Sequence, residues 1–288
     1  MKIALDCYPC FLRQALEASR IAGADEKAQK KVLHSLMLLL SDFSDEMTPP
    51  QIGRLVHRTV REVTCNADPY SEIKKIHNQQ VLEMEAHLTR LVHEASLPLV
   101  HALKLAGTGN LIDMGPERRW HEIAEIFYNI DSNSKVFDYL LFERRLNVAK
   151  TLLYIGDNAG EIVLDKILIG LLIQKRGLDI TYAVRGEPVI NDATLEDARS
   201  TGLTDIVPVI ESGSDIPGID LTSCSDEFLD HYRHADMILA KGQGNYESLS
   251  DRNENIFFLL RAKCSLIAGR IGCDIGDLVL KRTMQKGF

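Results

Sequence analysis

Three short polar segments of this chain carry side chains that could act together on a phosphate group. GDNAGE contains Asp157, Asn158 and Glu161, RGEPVIND ends with Asp192, and KGQGN begins with Lys241. Asp and Asn oxygens are hard ligands that suit Mg²⁺ or Mn²⁺, and these ions also bind substrate phosphates. A lysine would neutralise the phosphate oxygens that the metal leaves uncovered. The combination therefore favours metal-assisted displacement at phosphorus.

Each of these segments directly follows a run of residues typical of a β-strand. The runs are TLLYI, DITYAV and DMILAK, and DIVPVI and IFFLLRA are further candidates. Helices are predicted between them, namely IVLDKILIGLLIQKR closed by Gly177, one from about Thr194, and one over 225–233. Alternating strands and helices favour a parallel, doubly wound sheet, in which ligands bind outside the carboxyl ends of the strands. The sheet would thus bring the polar segments together.

The first half of the chain has a different pattern. Residues 6 to about 145 show helical periodicity almost throughout, without a convincing β run. We predict helices over 8–22, through KKVLHSLMLLLSDF, from the Pro49-Pro50 pair, over 70–95, and after Pro98. The change in pattern predicts a helical N-terminal domain over 1–148 and an α/β domain over 149–288.

Composition and absent motifs narrow the function. With 33 Lys and Arg against 41 Asp and Glu, the formal charge is -8, so nucleic acid is not an expected partner. The chain lacks the roughly 20 successive apolar residues that span a bilayer, and its start does not resemble a signal peptide, so we expect a cytoplasmic location without membrane contact. It has neither a phosphate-binding P-loop nor a dinucleotide fingerprint, and no G-x-S-x-G motif of serine hydrolases.

Simpler interpretations stay open for each of the highlighted residues. Asp157 and Asp192 can cap the helices that follow them, and Lys241 can be solvated. Cys7 and Cys10 form a C-x-x-C pair that could hold zinc, cycle through a disulfide, or pack as two thiols in the first helix. A structural zinc site needs about four ligands, and no second such pair is present in the sequence.

Six motifs taken together resemble a known family. In chain order, from residue 6 to about 280, they are DCYPCF, GTGNLIDMG, GDNAGEIVLDK, RGEPVINDATLEDA, KGQGNYESL and LLRAKC. This series resembles the metal-dependent damage-control phosphatases, once described as a domain of unknown function, and is most similar to the microbial branch with the N-terminal C-x-x-C. The resemblance implies a three-layer, Rossmann-like α/β metal-binding domain with a helical N-terminal part. It also implies hydrolysis of phosphomonoesters of small metabolites such as sugar phosphates.

The resemblance also implies a role for individual residues. It implies a divalent metal ion, Mn²⁺, Mg²⁺, Co²⁺ or Ni²⁺, bound by Asp157, Asn158 and Asp192. Residues expected to contact the phosphorylated metabolite are Glu161, Lys241, Asn245, Asn110 and Asp113. The catalytic residues are expected to be Asp157, Glu161 and Lys241, with Glu161 as the candidate for proton transfer and either water or a carboxylate as the nucleophile.

Two other functions are alternatives to the phosphatase. One is carboxyl methyl transfer from S-adenosylmethionine, which a eukaryotic branch of the family has been described as performing. GDNAGE is poor in glycine for a nucleotide-binding loop, which weakens this reading. The other is a metabolite-binding protein without catalysis. That alternative predicts that Asp157→Ala changes neither turnover nor metal content, whereas a phosphatase would lose both.

Overall fold

The computed structural model describes residues 1–41, 43, 44, 46–108 and 134–283. Within them the helices are α1 (Cys7–Ile21), α2 (Glu26–Ser41), α3 (Pro49–Thr64), α4 (Ser71–Glu94), α5 (Pro98–Gly107), α6 (Tyr139–Val148), α7 (Glu161–Arg176), α8 (Leu195–Ser200), α9 (Asp226–His234), α10 (Gly242–Leu249) and α11 (Ser265–Ile271). The strands are β1 (Thr151–Ile155), β2 (Asp179–Val184), β3 (Val209–Glu211), β4 (Met237–Lys241), β5 (Ile256–Arg261) and β6 (Leu278–Arg282). The predicted α/β architecture is confirmed.

The six strands form one sheet in the order β3-β2-β1-β4-β5-β6. The first five are parallel, and β6 pairs antiparallel with β5. This is the strand order of the Rossmann fold, in which the chain reverses direction across the sheet between β1 and β4. A crevice therefore opens between the carboxyl ends of those two strands, where two of the three polar segments begin.

Two details of the strand prediction were wrong. The DIVPVI strand is limited to Val209–Glu211, since a 3-10 turn occupies Leu203–Asp205 and Pro208 has no N–H to donate. The strand at Leu278–Arg282 is not among the predicted strands. Its carboxyl half is basic, and a short segment with one small helix connects it to β5.

Alternating side chains of the strands enter two cores, one on each face of the sheet. Tyr154 and Leu239 face a core shared with α4, α5 and α7, whereas Ile155 and Ala240 face a core shared with α9, α10 and α11. Nearly all strand positions are buried, as expected of parallel strands covered by helices on both faces. The predicted three-layer arrangement follows from this packing.

The first three helices form a third core of their own, built around Leu36, Ile52 and Val56. As predicted, the Pro49-Pro50 pair opens α3, whose first turn is capped by Thr48 through a 3.4 Å bond from the Gln51 backbone N–H. Helix α5 packs instead on the sheet, and α4 packs on α5 and α7 as part of the same core. The domain boundary at 148 stays a prediction.

Among the helices that the structure describes, none combines the length and apolar character that crossing a bilayer requires.

Candidate active site

The loops after β1 and β2 pair with each other beyond the end of the sheet. Asn158 and Asp192 face each other in an antiparallel bridge, and the Ala193 N–H donates to the Asp157 carbonyl over 2.8 Å. Ile190 adopts φ +46°, a left-handed conformation that bends the second loop back toward the first. The structure thus brings together the three side chains that the sequence predicted as metal ligands.

A buried arginine lies between the two carboxylates of this cluster. Arg185 Nε donates to Asp192 Oδ2 over 2.6 Å, and its Nη2 lies 3.9 Å from Asp157 Oδ1. The Asn158 side-chain nitrogen donates to Asp157 Oδ2 over 3.3 Å and to Glu161 Oε1 over 3.0 Å. These contacts fix the orientation of the acidic groups at the strand ends.

The fold disfavours the charged form of the carboxyl groups at the two loop tips. Burial raises the pKa of Asp157 well above its usual value, and the charges of Asp192 and Glu161 raise it further. Burial also raises the pKa of Asp192, although the Arg185 guanidinium opposes that rise. Carboxylates that are crowded and poorly solvated in this way favour an added positive charge.

Lys241 is the centre of a second buried network. Its Nζ donates to Glu161 Oε2 over 3.0 Å and to Asp165 Oδ1 over 2.7 Å. Burial alone would lower the pKa of Lys241, but these carboxylates outweigh burial and raise it. The Tyr154 and Tyr182 hydroxyls donate to Asp165 over 2.6 and 2.8 Å. Lys241 is therefore charged, and its ammonium group is paired with the Glu161 and Asp165 carboxylates.

The buried charges of the two networks do not balance. Every member is at most 8% exposed, and the carboxylates outnumber the cationic groups by two. The carboxylates are Asp157, Glu161, Asp165 and Asp192, and the cationic groups are Arg185 and Lys241. One divalent cation would neutralise this excess, and the hard oxygens of the loop tips suit Mg²⁺ or Mn²⁺. The residues present fit such an ion.

A cleft of about 370 Å³ opens beside the loop tips. Its walls come from the start of α1, the start of α3, α10 and the loop after β5, and Asp157, Asn158 and Asp192 line it. Glu161, Lys241 and Asn245 are almost fully buried and are not part of this lining. That they touch substrate stays a prediction, and their visible contacts support the loop tips.

Asn245 supports the loop tips through hydrogen bonds of its side chain. Its side-chain nitrogen donates to the Lys241 carbonyl over 2.7 Å and to the Gly156 carbonyl over 3.3 Å. Its Oδ1 accepts from Arg185 over 3.4 Å. The side chain therefore ties the tip of β4 to the tip of β1. Asn110 and Asp113, the other predicted substrate contacts, lie outside the residues that the structure describes.

Lys263 is a candidate functional residue that the sequence analysis did not single out. It is exposed, lines the cleft, and its charge lowers the pKa of both Asp157 and Asp192 against the effect of burial. It follows β5 by two residues. The rule that ligands bind beyond strand ends, if applied to IFFLLR as well, would have identified it.

Gly242, directly after Lys241, is packed against the Asp157 carboxylate. Its φ of +79° is left-handed, and a Cβ built on it would overlap the Asp157 carboxyl atoms. Glycine permits both the backbone conformation and the close approach. The carboxylate position thus depends on the tip of β4 as well as on its own loop.

Comparisons with known proteins give matches over nearly the whole chain. The family described as Damage-control phosphatase ARMT1-like domain matches residues 3–279. A damage-control phosphatase of Pyrococcus horikoshii is 31% identical over 99% of this chain and 100% of its own length. Its crystal structure, described as that of a DUF89 family protein, superposes with a TM-score of 0.90. A damage-control phosphatase of Archaeoglobus fulgidus is 32% identical over 98% of this chain and 99% of its own.

Proposed function

The chain belongs to the damage-control phosphatase ARMT1-like family, and we propose that it hydrolyses phosphomonoesters of small metabolites such as sugar phosphates, using a divalent cation. The cation would be held by Asp157, Asn158 and Asp192, and it would supply a Lewis acid that polarises the phosphoryl group. The observation that carries this proposal is that four buried carboxyl groups, with only two buried cationic groups among them, lie beside an open cleft.

The side chains around the cleft have distinct tasks in this proposal. Lys263 offsets charge on phosphate oxygens, because its ammonium group is exposed in the cleft close to Asp157 and Asp192. Arg185 orients Asp192 through a 2.6 Å bond and thereby keeps its carboxylate directed at the loop junction. Such preorganised charges stabilise the transition state without reorganisation during the reaction.

The nucleophile is either a water molecule or the Asp157 carboxylate. Glu161, the candidate for proton transfer, accepts bonds from Asn158 and from Lys241, so orientation of Asn158 is the task that its contacts support best. Trapping and mapping a phosphoenzyme separates the two routes, since only carboxylate attack leaves a phosphoryl group on Asp157.

The experiment that tests the proposal is a substrate and metal screen of the purified full-length chain. After removal of metal with a chelator, phosphate release from a panel of phosphorylated metabolites is measured with Mg²⁺, Mn²⁺, Co²⁺ and Ni²⁺ in turn. We expect turnover only with added metal. Asp192→Asn, which keeps the shape but removes a charged ligand, should lose it.

The matched control is Asp230→Asn, because that aspartate on α9 is 72% exposed and pairs only with surface groups among its described contacts. It should retain wild-type turnover and metal dependence. Full activity of the chelated protein, or of Asp192→Asn, would contradict the proposal.

A further inference from the structure

Three of the six cysteines line the cleft of the candidate active site. Cys7 and Cys10 come from the first turns of α1, and Cys264 comes from the position just before α11. In contrast, Cys65, Cys224 and Cys273 are not part of this lining. The C-x-x-C pair of the sequence is therefore a component of the cleft wall.

The two cysteines of α1 have complementary surroundings. Cys10 Sγ accepts from Gln14 Nε2 over 3.2 Å and lies 4.0 Å from Arg13 Nη2, so two polar side chains contact this sulfur. Burial raises the pKa of the Cys7 thiol, which also interacts electrostatically with Cys10 and Cys264. The pair thus combines Cys10, whose sulfur accepts from nearby donors, with Cys7, whose raised pKa favours its protonated form.

A soft-metal site does not account for the cluster. Among the described residues, Cys7, Cys10 and Cys264 do not belong to a group of three or more side chains arranged to hold a metal ion. All six cysteines are present as thiols.

A disulfide between Cys7 and Cys10 would link two positions of the first turn of α1. Residues three apart on a helix have Cβ atoms about 5–6 Å apart, whereas a disulfide needs about 3.5–4.5 Å, so the turn must tighten slightly. Asp6 precedes the helix without a side-chain capping bond that would hold this turn in place. Tightening the first turn therefore breaks no side-chain capping bond.

We propose that Cys7 and Cys10 form a reversible disulfide in the wall of the cleft, and that its formation reduces turnover. With a peroxide as the oxidant, the Cys10 thiolate attacks the O–O bond, giving a sulfenic acid and releasing hydroxide, which takes up a proton to become water. The Cys7 sulfur then attacks the Cys10 sulfur, and the sulfenic oxygen leaves as a second water. Two thiols lose two electrons and two protons in total, and the peroxide is reduced to two waters.

The effect on turnover rests on the proposed function. Tightening the first turn moves cleft-lining groups of α1, including the neighbouring Phe11, relative to Asp157 and Lys263 on the other side of the lining. We expect a several-fold decrease in kcat/KM for a phosphomonoester, and recovery with dithiothreitol.

The test treats the reduced full-length protein with hydrogen peroxide, blocks remaining thiols with an alkylating reagent, and maps tryptic peptides without reduction. Both cysteines lie in one peptide, which runs from Ile3 to Arg13. We expect this peptide to lose two hydrogen masses and resist alkylation, while the exposed Cys65 stays alkylated. Cys10→Ser should abolish this change and the peroxide sensitivity of turnover, and Cys264→Ser should abolish neither.

Alkylation of Cys7 and Cys10 after peroxide treatment, or a cross-link of either to Cys264 as the main product, would overturn the proposed disulfide. A disulfide that leaves turnover unchanged would overturn its effect on the cleft. If the disulfide forms but the reduced protein has no phosphatase activity with any metal, the proposed function fails while the redox pair stands.

Discussion

At the scale of single residues, Asp157 is a carboxyl group whose charged form the fold disfavours. Its pKa is raised well above the usual value by burial and by neighbouring carboxylates. The folded protein therefore binds this proton more tightly than the unfolded chain, and this group's contribution to stability decreases as pH rises from the usual carboxyl range through the raised value. A bound cation would favour the charged form of Asp157 and so offset this loss of stability.

Asp157→Asn tests this directly. We expect the metal-free variant to unfold at a higher temperature than the metal-free wild type, with a difference that grows as pH rises, because the buried charge is gone. Turnover should fall by about 100-fold or more. Losing a group that hydrogen-bonds to a metal ligand already lowers metal affinity or activity by about 10–100-fold, and losing the ligand itself should cost at least as much. Calorimetry at several pH values measures the first effect, and a variant that is less stable at every pH would contradict it.

Lys263→Gln tests the cation in the cleft. Its side chain is exposed, so the midpoint of thermal unfolding should change little, whereas kcat/KM should fall by about 10–100-fold because phosphate charge loses a partner. Lys281→Gln is the control, since that lysine on β6 does not line the cleft. Equal effects of both substitutions on kcat/KM would show that Lys263 has no special role.

At the scale of elements, the tips of β1, β2 and β4 hold one another in place. The two loops pair through their backbones, Asn245 ties β4 to β1, and Gly242 packs on Asp157. The position of each acidic side chain therefore depends on neighbouring strands as much as on its own loop.

Gly242→Ala should disturb this junction. The added Cβ would overlap the Asp157 carboxylate, and the φ of +79° disfavours alanine. We expect metal affinity to fall by about 10–100-fold, measured by titration of Mn²⁺ into the metal-free protein. Gly269→Ala on α11 is the control because a Cβ there meets nothing within 4 Å, and it should bind metal like the wild type. Unchanged affinity in Gly242→Ala would be evidence against the packing argument.

Lys241→Met should destabilise the fold beneath the site. Removing the ammonium group leaves Glu161 and Asp165 buried without their partner. The free energy of unfolding should then decrease by about 3–5 kcal/mol, as expected when a buried ion pair loses one member. Chemical denaturation measures the loss, and a change below about 1 kcal/mol would contradict the structural role. Lys75→Met, which removes an exposed pair on α4, should cost far less.

At the scale of the whole molecule, a cluster of ion pairs joins α3 to the sheet. Arg54, Arg58 and Arg61 all contact Asp215, which is only 1% exposed and follows β3. Burial alone would raise the pKa of Asp215, but Arg58 and the other arginines hold it below its usual value. Because α3 also lines the cleft, this cluster positions one of its walls.

Asp215→Asn should loosen that wall. With three arginines deprived of their shared carboxylate, we expect faster amide hydrogen exchange in α3 and a rise in KM larger than the change in kcat. Asp251→Asn removes the pairs of an aspartate that is 60% exposed, with Arg270 and the N-terminal ammonium, and should leave exchange in α3 unaltered. Identical exchange in both variants would contradict the role of Asp215.

Much of the sheet could be predicted because its parallel strands are buried on both faces and read as continuous apolar runs. Helix α10 was not predicted, since its sequence GQGNYESL is polar and rich in glycine. Packing of Tyr246 and Leu249 into the sheet core outweighs that weak propensity. The pairing of Lys241 with Glu161 and Asp165 was also hidden, because a sequence shows residues beyond a strand end but not which of them face inward.

The measurement that tests the central claim most directly is anomalous X-ray diffraction from crystals of the protein soaked with Mn²⁺. We predict one strong anomalous peak within bonding distance of the Asp157, Asn158 and Asp192 side chains, and its loss in Asp192→Asn crystals. A peak bound by other residues, or none at the loop tips in the soaked wild type, would contradict the account.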